Sequence, residues 1–332
     1  MKILRKGVEM LTTKWFVQRF TSFRAHFSNL NLEEINNYME NFSRLQTYLF
    51  KETVPVIHQG GLGKRMTSVT QGKFPKTLLE VGYPKRRPIM EWILLPYVRA
   101  GFEEIYVTLW FKPDSIKRRC KEIEKYAREA GRKLEFTFIE EPQDGRLGRA
   151  GAIRYGLEKG IIPEGKNILS LNGSDIVKYD IEDFGRFHLE GLEKGFFVSV
   201  VGSPYDKSKF GRIYCEEDGR VKEFEEKPLI RLPKGVYSNV GIFLFDKKAI
   251  EYFYELEEFP VDIETSPNLS KLNQIMRCYS GKKEIVPGKS WVWFKDRKDY
   301  ERWENVDYEK FLGISPVEKY LGPYEPRNLG NF

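Results

Sequence analysis

A chain of 332 residues, 41% apolar and 31% charged, can bury a large core, arranged as one large domain or two modest ones. Its formal charge of +7 suits an anionic partner, yet the 55 basic residues are interleaved with 48 acidic ones and no nucleic-acid-binding motif accompanies them, so a small molecule carrying several phosphates is expected rather than nucleic acid. The 3 scattered cysteines and 3 histidines exclude a zinc site and a disulfide framework and suit a cytoplasmic location, and no stretch has the length of a membrane span or the apolar run of a secretory signal.

Residues 1–52 are expected to form a helical N-terminal extension. Leu32, Ile35, Met39, Phe42, Leu45 and Leu49 recur at helical spacing behind Asn31, an N-cap candidate with Glu34 three positions later. The preceding aromatics Trp15, Phe16, Phe20, Phe23 and Phe27 leave two readings open, a helical cap on the main domain or a surface for a membrane or another chain.

Residues 53–312 read as the main domain, in which short apolar strands alternate with amphipathic helices. That alternation predicts an α/β fold of three layers, α/β/α and Rossmann-like, with a mainly parallel mixed sheet. Val54 to His58 is the first strand, Pro88 to Ala100 a helix and Ile105 to Leu109 a strand. Pro113 to Ala130 is a helix closed by Gly131, Leu134 to Ile139 a strand, Ala150 to Lys159 a helix and Ile168 to Leu171 a strand. After a helix over Ile181 to Lys194 and a strand over Phe197 to Val201, Gly211 to Glu217 and Arg220 to Glu226 flank Asp218-Gly219, a hairpin signal. Tyr237 to Phe245 and Trp291 to Phe294 are further strands, a helix is expected around Tyr300 to Phe311, and the tail 313–332 is expected to dock without regular structure.

The segment Gln59-Gly60-Gly61-Leu62-Gly63-Lys64-Arg65 follows the first strand directly. Its glycines let the backbone approach a ligand, and two adjacent cations make it an anion cradle. It matches neither a Rossmann fingerprint, because Met66 stands where a third glycine belongs, nor a Walker loop, because Arg65 follows Gly63-Lys64. Read together with Pro75-Lys76-Thr77-Leu78-Leu79-Glu80-Val81, it resembles the G-G-x-G-T-R and P-K-x-L-L-x-V signature of the sugar-1-phosphate nucleotidyltransferases. Leu147-Gly148-Arg149-Ala150-Gly151-Ala152, Leu171-Asn172-Gly173-Ser174-Asp175, the hairpin ending in Glu226-Lys227-Pro228, and Asn239-Val240-Gly241-Ile242 continue the resemblance in family order, over residues 54 to about 310.

The resemblance implies roles. Gly60, Gly61, Gly63, Gly148 and Glu141 would bind the nucleotide, with Arg65 against its outer phosphates. Lys76 would neutralise phosphates during transfer, and Asp175 would hold Mg²⁺. Glu226, Lys227, Asn239 and Gly241 would bind the sugar phosphate. The implied partners are a nucleoside triphosphate (NTP) and a sugar 1-phosphate; self-association stays open. Glu141 leans towards GTP, since a carboxylate accepts from guanine N–H groups.

Four departures stand out. Lys64 replaces a threonine, Gln59 replaces a small residue, and Ser174 is an extra residue before Asp175. Where the family has W-x-D, with the aspartate as a second metal ligand, this chain has Trp291-Val292-Trp293. Two readings follow: Asp296 supplies the missing metal ligand, or water and phosphate oxygens complete the shell. The alternatives to catalysis are a nucleotide-sugar-binding regulatory subunit and transfer to another phosphate such as phosphocholine.

Overall fold

The computed structural model describes residues 32–205, 210–225, 236–256, 262–263, 269–281 and 283–325. The chain divides into two units, Met1–Thr47 and Tyr48–Phe332. In the first, α1 (Leu32–Thr47) carries Glu33 and Glu34 in its first turn and Arg44 in its last, which suits the helix dipole at both ends. Asn31 and the aromatic segment 15–27 lie outside the described residues.

The second unit opens with a π-helical turn, Tyr48–Glu52, that feeds β1 (Thr53–His58). Then come β2 (Glu80–Val81) and β3 (Arg87–Pro88), a short antiparallel ribbon, followed by α2 (Ile89–Ala100), β4 (Glu104–Leu109), α3 (Pro113–Glu129) and β5 (Glu135–Glu140). The alternation continues through α4 (Gly148–Glu158), β6 (Asn167–Asn172), β7 (Asp175–Val177), α5 (Ile181–Leu192) and β8 (Val198–Ser203). β9 (Arg212–Cys215) and β10 (Val221–Glu225) form the hairpin expected across Asp218-Gly219. The chain then runs through β11 (Val236–Phe245), α6 (Leu269–Gln274), β12 (Met276–Tyr279), β13 (Trp291–Trp293), α7 (Arg297–Trp303), α8 (Tyr308–Leu312) and α9 (Glu318–Leu321).

The centre of the sheet is parallel, in the order β6-β1-β4-β5. Helical crossovers allow this, because each carries the chain back to the end of the sheet where the preceding strand began. Pro55 sits inside β1 without disrupting the ladder to β4, which starts only at Val56, one residue beyond the missing N–H. β11 runs antiparallel to β6, β8 and β9, and β12 lies parallel to β8. Val56, Ile139, Ile153, Ile168, Val200 and Phe243 belong to one buried cluster, so helix and sheet share a continuous core. The α/β reading with a mainly parallel mixed sheet therefore holds.

The structure corrects the expected elements in three places. The helix around Tyr300 to Phe311 is two, because Asp307 caps a new helix by accepting the Lys310 N–H. The tail is not wholly irregular, since it contains α9, and Arg132 Nη2 donates to Tyr320 O at 2.7 Å. The strands β2, β3, β7 and β12 and the helix α6 were not foreseen; each of these strands is short and takes its identity from the strand it pairs with.

Candidate active site

Three parallel strands end at the site: β1 at His58, β5 at Glu140 and β6 at Asn172. Open α/β sheets bind ligands at such carboxyl ends. Gln59 N donates to Thr108 O at 3.1 Å and Met66 is fully buried, so the glycine turn is held between two fixed points. Gly63 adopts φ 61°, a left-handed conformation that favours glycine, and a Cβ there would come within 3.0 Å of Lys76 Cβ. The two signature segments therefore meet at Gly63 and Lys76. Buried Phe74, Leu78 and Leu79 anchor the chain on both sides of Lys76.

Lys76 is half-buried, and desolvation draws its ammonium down to about 7. The neighbouring Lys295 ammonium pushes the same way, Asp175 opposes it, and Arg65 adds to the lowering. Arg65 itself is exposed in the turn Lys64–Met66.

Asp175 is almost fully enclosed, its side chain 1% exposed. β7 pairs antiparallel with β13 so that Asp175 stands opposite Trp293. Trp291 Nε1 donates to Asp175 Oδ1 at 3.2 Å, while Oδ2 accepts from Asn172 Nδ2 at 2.7 Å, Ser174 Oγ at 3.1 Å and Lys295 Nζ at 2.5 Å. On the far side of Asn172, Gly241 takes φ 82°, and a Cβ there would lie 2.8 Å from Asn172 Cβ. Asn239 Oδ1 accepts the Gly241 N–H at 2.8 Å. Asp175, Asn172, Gly241 and Asn239 thus form one contiguous wall.

A second group joins the loop after β5 to the glycine turn. A Cβ on Gly60 would lie 2.7 Å from Glu141 Oε1, and Glu141 Oε2 accepts the Leu147 N–H at 2.8 Å, next to Gly148 at the start of α4. Burial raises the Glu141 carboxyl above its usual range, against the lowering effect of that hydrogen bond. At Gly61 a Cβ meets no protein atom within 4 Å, so nothing in the protein itself requires glycine there. Glu226 and Lys227 lie outside the described residues.

The departures acquire physical meaning. Ser174, the extra residue, donates to Asp175 and receives Lys295 Nζ at 3.1 Å. Gln59 is buried, and a Cβ on Gly173 would sit 3.3 Å from its Cδ. Trp293 is buried and donates Nε1–H to Asp299 Oδ1 at 3.0 Å. Asp296, the candidate second metal ligand, caps α7: its Oδ1 accepts the Asp299 N–H at 3.0 Å while Asp299 Oδ2 accepts the Asp296 N–H at 3.2 Å. Lys295 is absent from the sequence-derived candidates, because the W-x-D comparison points to a carboxylate in 291–296, and the side chain that reaches Asp175 from that segment is a lysine.

The donor set does not fit a protein-held Mg²⁺. That ion wants near-octahedral oxygen ligands at about 2.0–2.1 Å and usually one or two carboxylates. The other acids at this end of β13 are engaged elsewhere, Asp299 by the Trp293 indole N–H and Asp296 as the cap of α7. Asp175 already accepts four hydrogen bonds, one of them from an ammonium.

Residues 54–293 match the family model described as Nucleotidyl transferase. The chain is 24% identical over 226 residues to a UTP–glucose-1-phosphate uridylyltransferase of Synechocystis sp., with 64% of this chain and 54% of that protein covered. To mannose-1-phosphate guanyltransferase beta-B of Xenopus laevis it is 27% identical over 218 residues, covering 65% of this chain and 56% of the relative. To a glucose-1-phosphate adenylyltransferase of Clostridium perfringens it is 28% identical over 268 residues, covering 79% and 67%. The chain thus spans little more than half the length of the first two of these relatives. Among solved structures, HddC from Yersinia pseudotuberculosis superposes with a TM-score of 0.57 at 22% identity, covering 78% of this chain and 99% of that one. This likeness extends to the fold. With its signature segments assembled at the strand ends and most of its length matched, the chain belongs to the nucleotidyl transferase family.

Proposed function

We propose that the protein joins a sugar 1-phosphate to an NTP, forming a nucleotide sugar and releasing pyrophosphate. The observation that carries this reading is Lys295 seated on Asp175 with Lys76 electrostatically coupled to both and to Arg65, beside the Gly63 turn at the strand ends. An oxygen of the sugar phosphate attacks the α-phosphorus of the NTP, a new P–O bond forms, and the bond to the β-phosphate oxygen breaks as pyrophosphate departs in line. Two polyanions must meet, and fixed cations in a partly dehydrated site lower the cost of bringing them together. Gly60, Gly61 and Gly63 carry the nucleotide backbone-first, Arg65 and Lys76 meet its phosphates, and Asn239 with Gly241 forms the sugar side, with Glu226 and Lys227 in the roles the family resemblance implies.

The test is pyrophosphate release from a panel of NTPs and sugar 1-phosphates. The panel includes GTP, which the Glu141 carboxylate favours as an acceptor for guanine N–H groups. Nucleotide-sugar binding without turnover under every condition would favour a regulatory subunit, and turnover only with a non-sugar phosphate would move the acceptor class.

A pH dependence follows from Lys76. Its ammonium is lowered to about 7 in the nucleotide-free protein, and a triphosphate stabilises the charged form. Binding near and above that pH therefore takes up a proton, and NTP affinity falls as pH rises, by up to about tenfold per pH unit. Calorimetry in buffers of different ionisation enthalpy should register proton uptake; release would mean that another group controls the titration.

A further inference from the structure

We infer that Lys295 is the resident counter-cation of Asp175, seated where a protein-bound divalent ion would otherwise sit, so that an incoming triphosphate meets a tethered ammonium. The inference rests on the reading that this site takes an NTP.

Lys295 Nζ lies 2.5 Å from Asp175 Oδ2 and 3.1 Å from Ser174 Oγ, and 5.6 Å from the centre of the Phe210 ring. Phe210 packs in turn on Trp291 and Trp293, at ring-centre distances of 4.5 and 5.0 Å. The lysine is therefore held from three sides, by a carboxylate, a hydroxyl and an aromatic face. With 15% of its side chain exposed, it is sheltered but not sealed. An ammonium has three N–H donors. Asp175 and Ser174 take two, which leaves one for a phosphate oxygen.

The same residues explain why a metal ion is disfavoured at this position. A carboxylate oxygen offers about two acceptor sites; Asp175 Oδ2 is crowded by Asn172, Ser174 and Lys295, and Oδ1 receives the Trp291 indole N–H. A divalent ion would have to displace an ammonium at contact distance and then find its remaining oxygens elsewhere. The nearby acids do not supply them. Asp299 accepts the Trp293 indole N–H and the backbone N–H groups of Lys295 and Asp296, and Asp296 caps α7. Lys76 and Arg65 add positive charge that repels a cation and attracts a polyphosphate. Ser174 and Trp293 belong to the same device: the extra hydroxyl holds Lys295, and the indole fills the place of a carboxylate.

Two measurements test this. Mn²⁺ is titrated into the nucleotide-free wild-type protein and followed by electron paramagnetic resonance, and binding of GTP, UTP and ATP is measured by calorimetry in millimolar Mg²⁺ and in EDTA. The wild type is expected to sequester no Mn²⁺, and its tightest-binding triphosphate should lose less than about threefold in affinity in EDTA, because charge-assisted hydrogen bonds replace a metal bridge. Lys295→Met, which keeps chain length and removes the charge, should weaken that triphosphate in EDTA by about tenfold or more and open Asp175 to Mn²⁺. The double variant Lys295→Met, Asp175→Asn should lose that Mn²⁺ again. Stoichiometric Mn²⁺ uptake by the wild type that Asp175→Asn abolishes would overturn the inference, as would a folded Lys295→Met that gains no Mn²⁺ or binds triphosphate unchanged. The wild-type titration decides even if the variant fails to fold. If no triphosphate binds in either buffer, the proposed function fails, and the seat of Lys295 is still judged by Mn²⁺ alone.

Discussion

Replacing Lys76 with alanine is expected to lower nucleotidyl transfer about 10²–10³-fold for every NTP alike, the range for removing one preorganised group that stabilises developing charge. The effect should be uniform because Lys76 lies against Gly63, where under the proposed function it would meet phosphates common to all NTPs. Stability should not suffer. The ammonium is already penalised by burial and by the nearby Lys295, so removing it relieves a like-charge contact. Steady-state rates across the NTP panel, with a melting curve for the same variant, check both halves. A loss confined to one base would show that Lys76 reads the nucleobase, and a collapsed melting temperature would make its role structural.

The second large effect is expected far from the chemistry. Glu91 on α2 is fully buried between two guanidinium groups, with Arg87 Nη1 at 2.5 Å and Arg119 Nε at 2.6 Å. Arg87 also donates to the Gly322 carbonyl, and both arginines lie over the Tyr324 ring, at 5.6 and 4.9 Å. Tyr324 OH donates to Glu80 Oε1 at 2.6 Å, so this network pins the C-terminal segment to β2, β3, α2 and α3. Glu91→Ala would leave two buried cations facing each other without their shared anion. Removing one partner of a buried ion pair costs about 3–5 kcal/mol, which for a domain of this size lowers the melting temperature by roughly 10 °C. The segment after Leu312 should also become sensitive to protease in the variant. An unchanged melting temperature would mean that water or another acid takes over the role of Glu91.

Much of this protein is determined by local sequence. Alternating apolar runs and amphipathic stretches specify β1, β4, β5 and β6 and the helices between them, because hydrophobic periodicity and helix-ending glycines act over a few residues. The glycine turn was legible from its own residues, whereas Lys76, Asp175, Asn239 and Gly241 were singled out by their resemblance to the family signature. What remained illegible depends on partners distant in the chain. Lys295 gains its partner only because β13 pairs with β7, bringing a lysine against an aspartate 120 positions away. Asp296, one of two readings for the second metal position, is placed by the structure as the cap of α7, and the Glu91 network draws on residues from Glu80 to Tyr324. Charge and hydrogen-bond capacity are written residue by residue, but which groups satisfy one another is decided by the packed core that sets their distances. That is why the sequence by itself determined the fold class and the signature segments, while only the tertiary structure decided which cation sits on Asp175.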